Sequence, residues 1–176
     1  MNVLAIIGIV IGGIALVVVL FGLFSPRFVT MSRSTIINAE SDKVWKQLIL
    51  QKEFVSNWSP WTGKDPNAKM EYSGVDGTVG AVYRWSGNKN IGKGSMTITA
   101  VVPGEKVVSR LRFEGMGEAD VTLVLQSDSG KQKVEWIYSA DNGNRIMARI
   151  FGRFTDKFLG PNFESGLSKL KSYCES

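Results

Sequence analysis

The chain contains no histidine and a single cysteine, Cys174. Without histidine, His-based catalytic triads and most zinc sites are excluded. A lone cysteine closes no internal disulfide, which suits a reducing compartment without requiring one. Its place near a fraying end also makes it a poor nucleophile. Charge is missing altogether from the first 26 residues. The net charge is +5, yet the 21 Lys and Arg form no dense cluster of the kind that marks a nucleic-acid binder, so no nucleic-acid partner is expected. A mild basic excess better fits an anionic lipid surface. Internal repeats and low-complexity tracts are absent, no residue set suggests a metal, and none implies a cofactor.

The uncharged start is itself the first positive signal. From Val3 to Phe24 the residues are almost wholly Ile, Val, Leu, Gly, Ala and Phe. At ~1.5 Å per residue such a helix reaches ~33 Å, enough for the ~30 Å hydrocarbon core of a bilayer. A cleaved signal peptide is the competing reading. Against it, no Lys or Arg precedes the run, the run exceeds the usual apolar region of a signal, and no small-x-small cleavage site stands before Ser25-Pro26. The expectation is therefore an anchor over residues 1–26 and one domain over residues 27–176, large enough for a real core. Arg27 and Arg33 follow the span and no basic residue precedes it, which places the domain on the cytoplasmic side of a single-pass membrane protein. Gly8 and Gly12 form a small-xxx-small pair at which two spans can pack, although oligomeric state stays open.

Beyond the anchor the pattern changes period. Phe28 to Asn38 is rich in Val, Thr, Ser and Ile and reads as a strand. Ser41 is a candidate N-cap ahead of a helix carrying Val44, Trp45, Leu48 and Ile49, and a second short helix is expected over Glu53 to Trp58. Six more strands follow: Lys69–Ser73, Ala81–Ser86, Gly94–Val102, Lys106–Glu114, Glu118–Gln126 and Lys131–Ala140. Within them apolar and polar residues alternate. Met96, Ile98, Ala100 and Val102 share one face; so do Val107, Leu111 and Phe113; so do Val121, Leu123 and Leu125, and Val134, Trp136 and Tyr138. Period two of this kind belongs to an antiparallel sheet with one solvated face.

From Asn144 to Tyr173 the spacing turns helical, with Met147, Ile150, Phe151, Phe154 and Phe158, then Phe163, Leu167 and Leu170 on one face. The Gly160-Pro161 step is where a kink or split is expected. An apolar sheet face needs a cover, and this is the only long amphipathic helix after the anchor. The predicted class is α+β: a curved seven-stranded antiparallel sheet wrapped around a long C-terminal helix, with an apolar space between them and an N-terminal transmembrane helix.

Particular stretches carry a family resemblance. They are Ile36-Ile37-Asn38-Ala39 before Lys43-Val44-Trp45, Trp58-Ser59-Pro60-Trp61, Tyr72-Ser73-Gly74, and Gly80 with Tyr83-Arg84-Trp85. Gly92-Lys93-Gly94-Ser95-Met96, Phe151 to Asp156, Gly160-Pro161 and Phe163-Glu164 complete the set. Over about residues 29 to 172 the chain resembles the helix-grip superfamily of START lipid-transfer domains, polyketide cyclases and the birch pollen allergen (the SRPBCC proteins), and within it the bacterial polyketide-cyclase/dehydrase-like branch. The resemblance implies a cavity for apolar or amphipathic small molecules and no single reaction.

Four groups of residues are candidates for function. Trp58, Trp61, Tyr72, Trp85, Trp136 and Tyr138 offer apolar bodies with one polar handle, suited to orienting a ring-containing ligand; ordinary core packing is the alternative for each. Met96, Met116 and Met147 with Phe151, Phe154 and Phe158 suit a pliable apolar pocket, or a plain helix-on-sheet interface. Tyr72, Tyr83 and Tyr138 could polarise a carbonyl, but no acid–base pair is assignable and the catalytic residues are unknown. Arg110 and Arg112 are expected on the solvated face, ion-paired. Arg145, Arg149, Arg153 and Lys157, in steps of four, form a basic stripe that is either solvated or set against anionic headgroups. The leading expectation is membrane-tethered binding or transfer of a hydrophobic molecule (a lipid, quinone or polyketide). The alternative is a cyclase- or dehydratase-like enzyme, and a third possibility is a protein-binding role with a vestigial cavity.

Overall fold

The computed structural model describes residues 2–115, 117–128 and 130–176, and the side chains of all of these but Ala5. Helix α1, Val3–Leu23, stands out from the rest with its apolar side chains exposed, and its Ile6–Leu23 stretch is long and apolar enough to cross a membrane. Then come β1 (Phe28–Ile37), α2 (Ser41–Ile49), and a short α3 (Gln51–Glu53) that widens into a π turn over Phe54–Trp58. Strands β2 (Lys69–Ser73), β3 (Val82–Ser86), β4 (Lys93–Val102), β5 (Lys106–Phe113), β6 (Gly117–Asp128) and β7 (Lys131–Asp141) follow, then α4 (Ile146–Gly152) and α5 (Thr155–Glu175).

The seven strands form one open antiparallel sheet in the order β1-β7-β6-β5-β4-β3-β2. Six of the strands are joined in sequence, and β1 closes onto β7, with Phe28 opposite Asp141 and Ile37 opposite Gln132. The expected fold is the observed one. Period-two patterning has its usual consequence: Val121, Leu123, Leu125, Val134 and Trp136 are buried on the inner face. On the outer face Arg110 holds Asp120 at 2.6 Å and Glu118 at 3.3 Å, and Arg112 holds Glu118 at 2.8 Å.

One strand departs from its expected alternation. A bulge between Ile98 and Ala100 inserts Thr99 into β4 without a partner of its own on β5. Past it the faces exchange, as an extra residue requires. Ala100 and Val102 point outward, while Val101, opposite the buried Val107, packs on the core. Ser41 likewise opens α2 as its first helical residue, and no side chain caps the helix start.

The C-terminal helix is split, though not at Gly160-Pro161. The break comes at Arg153 and Phe154, between α4 and α5, and Pro161 lies inside α5. Only α5 grips the sheet. Phe163, Leu167, Leu170 and Cys174 are buried against it, spaced by three and four. Arg33 of β1 fastens its outer side through Asp156 at 2.8 Å and Glu164 at 2.7 Å. Gly166 lets the helix come close, since a Cβ there would lie 2.8 Å from the Trp136 ring and 3.2 Å from Pro60.

Between α1 and the sheet the chain is tied by Arg27, whose Nε donates to Asp141 Oδ1 at 2.7 Å. That bond, with a second from the Gly143 N–H, lowers the Asp141 carboxyl to about 2. A carboxyl depressed in the folded state contributes stability that is present above its unfolded value and lost as pH falls through the folded one. Thermal melts of the wild type should therefore lose part of their stability from about pH 4 down to pH 2. Asp141→Asn should flatten that portion of the profile, and an unchanged acid limb would show the pair to be inert.

Candidate functional site

Between the inner face of the sheet and the first half of α5 lies a cavity of ≈ 350 Å³. Its size falls in the lower part of the range for small-molecule sites. Its floor rests on an aromatic cluster centred on Trp136. Phe163 stacks on that ring at 3.9 Å between centroids, and Phe54, Trp58 and Trp61 meet it edge-on at 5.9, 5.2 and 6.1 Å. Such contacts fix ring orientations beyond what burial alone gives. A second row runs along β3 to β5: Tyr83 against Trp85 at 5.4 Å and Trp85 against Phe113 at 5.5 Å. The Trp85 indole donates to the Ile91 carbonyl at 3.0 Å, which draws the β3–β4 hairpin tip over the cavity. Met96, Leu111, Val121 and Tyr138 supply the inner wall. Leu159 and Asn162 of α5, Ser59, Thr62 and Lys64, Met70 of β2, and Lys89 to Gly92 of the hairpin form the rest of the lining. Lys64 Nζ donates to Asn162 Oδ1 at 2.8 Å, which ties the Trp58-Trp61 loop to α5.

Of the sequence-derived candidates, Trp61, Trp85, Met96, Trp136 and Tyr138 come together on this lining. Trp58 does not. It is fully buried, its Nε1 donates to the Gln47 carbonyl at 3.0 Å, and it borders only a separate void of ≈ 30 Å³ beneath α2. Tyr72 lies on the edge strand β2, outside the lining, stacked on Tyr83 at 5.3 Å. Met147, Phe151, Phe154 and Phe158 also lie outside it, exposed on α4 and the start of α5, on either side of the break at Arg153. Met116 falls outside the described residues. The basic residues do not form one helical stripe. Arg145 caps α4 at its start, Arg149 bonds back to the Gly143 carbonyl at 2.7 Å, Arg153 ends α4, and Lys157 belongs to α5.

The lining residues missed from the sequence include Phe54, Thr62, Lys64, Met70, Leu159, Asn162 and the hairpin tip. A signal existed for Leu159. Stepping back by four from Leu167 through Phe163 reaches Leu159, not Phe158.

Chemically the cavity is an apolar chamber with few polar groups. Among the described residues, no carboxylate lines it and no group of three or more acidic or Cys side chains could hold a metal. Burial, followed by the neighbouring Tyr72, pushes the Tyr83 phenol up to about 12, and burial also raises Tyr138. Both hydroxyls are thus protonated donors at neutral pH. The Trp136 Nε1 is buried and has no partner among the described residues.

Comparison with known proteins follows the architecture. Residues 29–175 match the model of a family described as polyketide cyclase/dehydrase and lipid transport. Protein CV1439 from Chromobacterium violaceum is similar in structure, with a TM-score of 0.60 at 14% identity over 84% of this chain and 97% of that one. The di-domain ARO/CYC StfQ from the steffimycin biosynthetic pathway gives 0.61 at 10% identity, over 84% of this chain and 51% of that one. Ara h 8.0201 gives 0.56 at 12% identity, over 82% of this chain and 99% of that one. At these identities the likeness is one of fold. No curated protein matches the sequence.

Proposed function

The chain belongs to the polyketide cyclase/dehydrase and lipid transport family, and from that membership and the enclosed aromatic chamber we propose that it binds or transfers a hydrophobic small molecule while tethered to a membrane by α1. The observation that carries the proposal is the ≈ 350 Å³ space lined by Trp61, Trp85, Met96, Leu111, Trp136 and Tyr138, with no carboxylate among the described lining residues. An apolar ligand gains roughly 25 cal/mol for each Å² it removes from water there. The protonated phenols of Tyr83 and Tyr138 on the lining favour a ligand that also carries an acceptor. A ring or chain with one carbonyl, of quinone or polyketide type, has that chemistry.

Tethering rests on the length and apolar character of α1. The cytoplasmic side is favoured by Arg27 and Arg33 beyond the span. Arg145, Arg149, Arg153 and Lys157 are proposed to face anionic headgroups, each contributing ~1 kcal/mol near such a surface. The direct test is solvent extraction of the purified full chain followed by mass spectrometry. One apolar compound recovered at near-stoichiometric yield supports carriage, and a protein that repeatedly emerges empty from its native membrane contradicts it.

A second reading, catalysis of a cyclase or dehydratase type, is favoured by the two protonated phenols, which could polarise a carbonyl. Tyr138→Phe separates the readings. A carrier loses at most one hydrogen bond, about 0.5–1.5 kcal/mol in affinity. An enzyme that uses the phenol as its acid loses about 10²–10⁴ in rate against a polyketide analogue.

A further inference from the structure

Met147, Phe151, Phe154 and Phe158 have the spacing of a face that should be covered, yet they are 53, 62, 43 and 63% exposed. What stands beside them is α1. A Cβ at Gly22 would collide with the Ile146 side chain, and the Arg153 guanidinium lies over the Phe21 ring at 5.2 Å from its centroid. At the other end of α4, a Cβ on Gly152 would come within 2.8 Å of Val29 and 2.7 Å of Asn142. The short helix is therefore clamped between β1 and the last turn of α1.

That contact fixes a depth. The apolar stretch of α1 ends at Leu23. At ~1.5 Å per residue, whatever touches Phe21 and Gly22 sits within ~3 Å of the level where the apolar length runs out. Phe24, 82% exposed, follows directly, the Arg153 guanidinium lies over Phe21, and Arg27 lies over the 67% exposed Phe28 a few residues on. Large apolar side chains beside arginines whose stems can lie along them suit the boundary between acyl chains and headgroups.

We propose that α4 and the first turn of α5 form an interfacial element, with Phe151, Phe154 and Phe158 inserted into the bilayer that α1 spans. The residues expected from their spacing to line the cavity thus meet lipid instead. A consequence follows for exchange. Leu159, which lines the cavity, adjoins Phe158 and lies five residues beyond Phe154. The α5 side of the cavity is thereby held next to the membrane surface, and an apolar ligand passes between bilayer and chamber without crossing bulk water.

The inference rests on the reading that α1 spans a bilayer, and the test keeps the two apart. The full chain is placed in vesicles of phosphatidylcholine and phosphatidylglycerol with nitroxide labels at single sites: Phe151→Cys, Phe158→Cys, Ile14→Cys in α1, and Ser165→Cys on the exposed side of α5. The native Cys174 is buried and escapes labelling. Collision rates with oxygen, which concentrates in lipid, and with a water-soluble nickel complex give depth. The expected result is a several-fold oxygen preference at positions 151 and 158 over 165, at about 5–10 Å below the headgroups, with position 14 deeper still. Positions 151 and 158 matching 165 while 14 remains lipid-buried would overturn the inference and leave the span standing. Aqueous values at 14 as well would remove both. Exclusion of both reagents from 151 and 158 would mean that protein, such as a second copy, covers them, and would also overturn it.

Discussion

Trp58→Ala should cost about 3–5 kcal/mol, the range for emptying a large buried aromatic site. Typical domains hold only about 5–15 kcal/mol in total, so this substitution alone brings the fold near its limit. Three interactions go together. Trp58 is 0% exposed, its ring meets Phe54 at 4.6 Å and Trp136 at 5.2 Å, and its N–H serves the Gln47 carbonyl. Gln47 stands in the last turn of α2, where carbonyls have no partner within the helix. Trp58→Phe keeps most of the apolar area but orphans that carbonyl, for about 1–3 kcal/mol. Denaturant unfolding of both variants measures the two parts. A loss below 1 kcal/mol in Trp58→Ala, accompanied by lost ligand, would return Trp58 to the ligand contacts.

Leu111→Trp should do the reverse, with stability nearly kept and binding lost. Leu111 lies at the middle of β5, opposite Met96 on β4 and Ala119 on β6, and its side chain borders the cavity. An indole there has empty space to enter, so the usual overpacking cost of about 1–3 kcal/mol should fall at its low end. The same indole occupies a large part of ≈ 350 Å³. Affinity for the extracted compound should fall at least a hundredfold, about 2.7 kcal/mol, read by equilibrium binding beside an unfolding curve. Unchanged affinity would place the ligand elsewhere.

These two substitutions mark where sequence and structure part. Trp58 and Trp61 stand three apart on one loop and look equivalent in the sequence, yet only Trp61 reaches the cavity. The difference arises from the π turn over Phe54–Trp58, which points Trp58 back beneath α2. The strands were legible because each carries period two on a half-buried sheet. The β4 bulge was not, since one unpaired residue reverses a face without altering composition. The helix break was hidden for a related reason. Met147, Phe151, Phe154 and Phe158 step by three and four, as one uninterrupted helix would, and only the step of five from Phe158 to Phe163 breaks the series. The break falls where α4 packs against α1, with Ile146 against Gly22 and Arg153 over Phe21, and no local pattern records those contacts. Gly160-Pro161 pointed to the wrong place for the break. Gly160 is instead buried where a Cβ would lie 2.6 Å from the Arg33 guanidinium, and the helix runs on through Pro161.

Site chemistry was less legible than site shape. The absence of histidine and the outward-facing Arg110 and Arg112 could be read directly, and both arginines are ion-paired as expected. Which aromatic lines the chamber depends on packing across elements far apart in sequence, as with Phe54, Trp136 and Phe163.

The most direct test of the central claim is photo-cross-linking of the full chain with an apolar diazirine probe, followed by peptide mapping. The account expects adducts on Met96, Leu111 or Tyr138 that the extracted compound competes away and that vanish in Leu111→Trp. Adducts confined to the exposed faces of α1 and α4, with none inside the chamber, would contradict it.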